Sequence, residues 1–180
     1  MGTQSSDVLA AFVTPSGNVD FETVYRTELP RVYNFFRYHV GDDQLAEDLT
    51  AETFERAWRH RERYRHDLSS FSTWLFTIAR RIATDHFRKR RSSLPLEEAK
   101  HVADPQNLEE TAQQRAEFAD LAKLLARLAE RERELVALKY GAGLTNRAIA
   151  RISGLSESNV STILHRLTRQ LRAQMENQDE

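Results

Sequence analysis

The stretch Phe71–Arg91, FSTWLFTIARRIATDHFRKRR, constrains the fold most, because it combines a core-building repeat with a dense cationic strip. Positions suited to burial return at Trp74, Leu75, Ile78, Ala79, Ile82, Ala83, His86 and Phe87. These paired steps of four keep one face of an α-helix against a core. The other face carries Thr77, Arg81, Thr84 and Arg88, with Arg80 beside them, and the segment ends Arg88-Lys89-Arg90-Arg91. Six basic residues stand against the single acid Asp85, a local excess that phosphates neutralise well.

A second pattern lies at Thr145–Arg172, TNRAIARISGLSESNVSTILHRLTRQLR, and fits a helix-turn-helix. Ala150 supplies the small residue where two helices cross, Gly154 the turn position that needs positive φ, and Val160 the apolar residue by which the second helix packs back. Ile149, Leu155 and Ile163 complete the apolar contacts. Thr145 and Ser156 are placed to cap the two helices, each hydroxyl accepting an orphan backbone N–H. Glu157, Ser158, Asn159, Ser161, Thr162, His165, Arg166 and Arg169 then fall on or near the outward side of a helix suited to a DNA major groove.

The chain is predicted to be all-α, with no alternating segment long enough to argue for a strand. Expected helices span Phe21–Val40, Gln44–Arg59, Phe71–Arg91, Leu108–Ala129 and Glu130–Tyr140, followed by the helix-turn-helix. Gly141-Ala142-Gly143 breaks the chain between the last two parts. The net charge of −1 conceals strong segmentation. Asp42, Asp43, Glu47, Asp48, Glu52 and Glu55 form an acidic run without a base, and Arg56, Arg59, Arg61, Arg63 and Arg65 follow against Glu62. Residues 94–114, with two prolines and five acids against Lys100, read as an acidic linker. The expected organisation is a disordered tail at 1–18, a helical domain at 19–93, the linker at 94–114 and a second helical domain at 115–175. Domains this small bury only about 60% of their unfolded surface, so each is expected to be marginal alone.

These motifs in this order resemble the extracytoplasmic-function sigma factors, dissociable promoter-specificity subunits of bacterial RNA polymerase. The resemblance rests on Asp48-Leu49-Thr50-Ala51-Glu52-Thr53-Phe54 with Arg56-Ala57-Trp58, on Trp74-Leu75-Phe76-Thr77-Ile78-Ala79 with its basic end, on the lead-in Leu128–Arg133, and on the helix-turn-helix closing in His165-Arg166. It covers Phe21 to about Arg172 and implies a sigma region 2-like first domain and a region 4-like second domain. The first would bind core polymerase and the minus-ten element, and the second the minus-thirty-five element. The stand-alone alternative is a helix-turn-helix transcriptional regulator that binds duplex DNA without polymerase.

The resemblance also implies roles for individual residues. Leu45, Asp48, Leu49, Glu52 and Phe54 would lie around the polymerase contact, while Phe54 and Trp58 suit a core. Arg80, Arg81, Thr84, Arg88, Lys89, Arg90 and Arg91 would face DNA from the first domain, with the loop His60–Phe71 helping to hold an opened strand. Trp74 fits core packing better than base stacking, because it belongs to the apolar repeat. In the second domain Ser158, Asn159, Ser161 and Thr162 would reach base edges, and Arg147, His165, Arg166 and Arg169 would hold phosphates or face the groove. Three positions depart from the family pattern: Ala51 replaces a Gln, Arg81 replaces an Asn and so offers only donors, and Asn146-Arg147 stands where relatives carry acids. The expected partners are core RNA polymerase, promoter DNA and an anti-sigma factor, with no small-molecule substrate.

No catalytic constellation, phosphate-cradling glycine loop or metal-ligand spacing occurs among the six histidines, so neither an enzyme nor a cofactor is expected. His86 is expected to be a packed, hydrogen-bonded core residue. The absence of cysteine excludes disulfides and thiolate zinc sites. With no apolar run of membrane-spanning length, the expected location is the cytoplasm.

Overall fold

The computed structural model describes residues 21–92 and 112–176, and no strand occurs among them. The tail expected at 1–18 and most of the linker expected at 94–114 lie outside the described residues. The first domain comprises α1 (Phe21–Val40), α2 (Asp43–Arg59), a 3-10 turn (Arg61–Arg63) and α3 (Phe71–Ser92). The second comprises α4 (Ala112–Ala126), α5 (Glu130–Val136) running into a π-helical turn (Ala137–Gly141), α6 (Asn146–Ser153) and α7 (Glu157–Glu176).

Local chemistry sets the helix boundaries. Gly41, at φ 71°, ends α1 with its N–H on the Arg37 carbonyl at 3.0 Å. Asp42 then caps α2 by accepting from the Leu45 N–H at 2.8 Å, an interaction worth about 1 kcal/mol. Thr145 caps α6 through the Ala148 N–H at 3.2 Å, and Ser156 caps α7 through the Asn159 N–H at 3.2 Å, as the hydroxyls' positions predict. Gly154 sits between them at φ 74°. The π-helical turn was not legible in the sequence. It is closed by the Ala142 N–H on the Ala137 carbonyl at 2.9 Å, and Gly143 at φ 66° turns the chain away.

The core of the first domain is aromatic and aliphatic: Val32, Phe35 and Phe36 of α1 meet Leu75, Phe76, Ala79 and Ile82 of α3, all nearly inaccessible. In the second domain Val160, Leu164, Leu167 and Leu171 of α7 cover Leu135, Leu138 and Ile149. Each such side chain contributes about 1.5–3 kcal/mol on burial. Two core expectations need correction. Trp58 is 50% exposed, because the buried row of α2 runs through Ala46, Leu49, Thr53, Phe54 and Ala57, and Trp58 falls one residue beyond it. His86 is half-buried at the edge of α3 against the Phe87 ring, and its buried Nε2 has no hydrogen-bond partner.

The two cores are continuous, which the sequence pattern does not indicate. The π-helical turn and α5 pack on α1, and α6 packs on α3. At the closest approach a Cβ on Gly141 would stand 2.7 Å from the Asn34 carbonyl oxygen. Arg31 Nε donates to the Ala142 carbonyl at 2.9 Å, and its Nη1 donates to the Glu28 carboxylate at 2.9 Å and to Ser72 at 3.2 Å. Burial raises the pKa of Glu28, an effect opposed by Arg31 and by the Ser72 hydroxyl.

Candidate nucleic-acid and protein interfaces

The acidic residues of α2 and the basic residues of α3 and α7 are carried by different helices. Glu52 of α2 lies near His86 of α3, where its charge opposes the lowering of the histidine pKa by burial, Arg90 and Lys89. On α2, Asp48 is exposed, while Leu45 and Glu52 are partly so, with Glu52 paired to Arg56 one turn on. Leu49 and Phe54 are buried at 6% and 5%, so neither side chain is presented on the surface of α2. Phe54 instead packs edge-on to Tyr25, with ring centroids 4.7 Å apart. The hydrophobic period explains the difference, since Leu49 and Phe54 lie on the stripe turned to the core. Glu47, Ala51 and Glu55 are exposed along the outer face instead.

The loop between the 3-10 turn and α3 rests on an aromatic cluster. Phe71 lies within 6.2 Å of Phe21 and 5.3 Å of both Tyr64 and Trp74, centroid to centroid. The Tyr64 hydroxyl donates to the Ser69 carbonyl at 3.1 Å and ties down the loop's end. Trp74 is half-buried in this cluster. Trp58 stacks edge-on to Phe21 at 4.9 Å and carries the Arg61 guanidinium 4.1 Å above its ring. Sequence reasoning missed this surface because it assigned Trp58 to the core.

Along α3 the basic residues are largely outward, but several are already engaged. Arg81 is exposed, and Arg88 pairs with Asp85 at 3.1 Å. Lys89 and Arg90 are exposed at the helix end. The Thr84 hydroxyl donates back to the Arg80 carbonyl at 2.9 Å. Arg80 Nε donates to Glu134 of α5 at 2.8 Å, and Arg91 pairs with Glu130 of the same helix. Burial raises the Glu134 pKa, while Arg80 pulls it down.

Ser158, Asn159, Ser161, Thr162, His165 and Arg169 are exposed on α7. The Thr162 hydroxyl donates to the Ser158 carbonyl at 3.0 Å, so it can offer a base its oxygen as acceptor but not its proton while that bond holds. Arg147 of α6 lies 3.6 Å from Glu157 at the start of α7, and Arg166 pairs with Glu132 of α5 at 2.5 Å. Among the described residues there is no group of three or more side chains that could hold a metal ion. No described helix is long and apolar enough to cross a membrane.

This pair of helical domains, one ending in a basic helix and the other in a capped helix-turn-helix, matches known families. Residues 24–93 match Sigma-70 region 2, and residues 118–171 match Sigma-70, region 4. The chain is 32% identical over 161 residues to the ECF RNA polymerase sigma factor BldN of Streptomyces coelicolor, covering 87% of this chain and 61% of that relative. It is 30% identical over 163 residues to the ECF RNA polymerase sigma factor SigX of Bacillus subtilis, covering 87% of this chain and 84% of that one. The fold is similar to that of the sigma factor RpoE from Bartonella quintana, solved in complex with the anti-sigma factor NepR, with TM-score 0.69, 24% identity, and coverage of 87% and 97% of the two chains. The chain belongs to the extracytoplasmic-function sigma factors, the initiation factors that direct RNA polymerase to promoters.

Proposed function

We propose that this chain binds core RNA polymerase through the outer face of α2 and carries it to two-part promoters, contributing recognition and strand opening while the polymerase performs the chemistry. The observation that carries the reading is the presence, in one chain of this family, of an exposed acidic helix face together with two helices that present basic and polar side chains outward. Leu45, Asp48 and Glu52 are the polymerase contacts. Arg81, Arg88, Lys89 and Arg90 hold phosphates near the minus-ten element, joined by Arg80, Thr84 and Arg91 when they are released. The loop at His60–Phe71, on its aromatic support, holds the opened strand by stacking.

On α7, Ser158, Asn159, Ser161 and Thr162 face base edges of the minus-thirty-five element. Arg147, His165, Arg166 and Arg169 hold the backbone. The first domain spans 19–93 and the second 115–175, and the protein works in the cytoplasm beside polymerase. An anti-sigma factor is a further partner, a reading supported by the RpoE–NepR complex. A stand-alone regulator would leave the acidic face of α2 and the aromatic loop without a role.

The test is run-off transcription from a promoter library with core polymerase, with and without the chain. The reading expects transcripts downstream of a shared two-part motif only when the chain is present. It is overturned by their absence together with specific duplex binding by the chain alone. Reversing the charges of Asp48 and Glu52 should weaken binding to core polymerase about tenfold or more with unchanged circular dichroism. Unaltered affinity removes α2 as the docking helix.

A further inference from the structure

We propose that Asn159 is the side chain by which this chain reads one adenine of its minus-thirty-five element, donating to N7 and accepting from the N6 amino group in the major groove. The inference rests on reading α7 as the promoter-recognition helix. Asn159 stands in the first turn of α7, the part of a recognition helix that meets base edges. Its backbone is fixed before DNA arrives. The Asn159 N–H donates to Ser156 Oγ at 3.2 Å, the Val160 N–H donates to the Ser156 carbonyl at 3.0 Å, and Val160 is fully buried in the core. The one acid of this turn, Glu157, lies 3.6 Å from Arg147 of α6, which offsets its repulsion of the phosphates.

The hydrogen-bond state of the outward side chains singles this residue out. The Thr162 proton is taken by the Ser158 carbonyl at 3.0 Å, which leaves that hydroxyl an acceptor only. Ser158 shares a hydrogen bond with Ser156 at 3.2 Å. Ser161 is exposed, but a hydroxyl rotates to give or to take and so discriminates little between bases. The ring nitrogens of His165 point apart and cannot both engage one base edge. Asn159 is exposed, and its carboxamide makes no hydrogen bond within the described residues. The capping role that would otherwise explain an asparagine here belongs to Ser156. A carboxamide carries a donor and an acceptor side by side in one plane. In the major groove adenine alone presents the complement, an N7 acceptor beside an N6 donor. Guanine shows two acceptors, cytosine a donor, and thymine an acceptor beside a methyl group.

Single-atom changes in the DNA test the pairing. The chain is assembled with core polymerase on a promoter selected by run-off transcription, and binding is followed by anisotropy. Each adenine of the minus-thirty-five element, on either strand, is replaced in turn by 7-deazaadenine, which lacks the N7 acceptor, or by purine, which lacks the N6 amino group. At one adenine each replacement should weaken wild-type binding about fivefold. Asn159→Ala should bind the unmodified promoter at least about tenfold more weakly and be indifferent to both replacements at that adenine alone, a pattern that loss of the fold does not produce. A minus-thirty-five element without adenine, or an Asn159→Ala protein as sensitive as wild type at every adenine, overturns the proposal.

A change of specificity is the second readout. Asn159→Arg presents two donors, the complement of N7 and O6 of guanine. Selection from a promoter library with core polymerase should move that single position from adenine to guanine and leave the other positions, the minus-ten element included, as they are in wild type. An unshifted position overturns the adenine assignment while the reading of α7 stands. A wild-type chain that supports no polymerase-dependent transcription fails instead at the reading of α7, and the assignment falls with it.

Discussion

Gly141 and His39 lie at the contact between the two domains. Gly141 lies where helix formation alone would favour alanine, by about 1 kcal/mol. The Asn34 main chain leaves no room for the added methyl, with 2.7 Å to the carbonyl oxygen. Overpacking against backbone costs about 1–3 kcal/mol, so Gly141→Ala should lower the urea midpoint despite its better propensity. A raised midpoint would show that the turn can move away freely. His39 is 2% exposed between the domains, and neither ring nitrogen has a hydrogen-bond partner of good geometry. Burial, then the charge of Arg133, with smaller contributions from Arg80 and His86, lowers its pKa to about 3, and the Glu130 main chain beside it offsets this only in part. A histidine whose folded pKa lies below its unfolded value costs stability as pH falls below that unfolded value, because only the unfolded or opened form takes up the proton. Stability should therefore drop by about 2 kcal/mol from this group between pH 7.5 and 5. His86, also lowered by burial, acts in the same direction, whereas the raised Glu28 and Glu134 act oppositely. Urea titrations of wild type and His39→Phe across that range isolate the contribution, and parallel pH profiles would contradict it.

Periodicity made most helices legible, because a helix that buries one face must repeat its apolar residues near the helical period. The spans Phe21–Val40, Asp43–Arg59 and Phe71–Ser92 fall within a residue of expectation at each end. Capping chemistry was equally visible at Thr145, Gly154 and Ser156, since each effect is local to a few residues. The π-helical turn at Ala137–Gly141 was not, because it answers to the close approach of α1 and has no local signature. Trp58 was misplaced for a related reason: periodicity identifies a stripe but not its width, and a large ring at the stripe's edge can remain exposed. The basic end of α3 carries its own prediction. Replacing Arg88, Lys89 and Arg90 by alanine should reduce the salt slope of promoter binding by about 0.9 for each phosphate that is no longer neutralised. A slope equal to that of wild type would mark those side chains as solvent charge.

For the molecule as a whole, the net charge of −1 is the sum of opposed segments that fold against one another. Glu134 and Arg80 are separated by 54 positions, and Glu130 and Arg91 by 39, so no local pattern joins them. The family resemblance gave both domains and their order, while the contact between them became apparent only in three dimensions. On the proposed reading each of α3 and α7 offers DNA a modest number of exposed donors, and two weak sites gain strength when one enzyme holds both on the same promoter. The most direct measurement is anisotropy of a labelled promoter fragment titrated with core polymerase, with the chain present and absent. The account predicts specific binding only when polymerase and chain are present together, with little promoter preference for either alone. Full-affinity, sequence-specific binding by the chain alone, unchanged by polymerase, would contradict it.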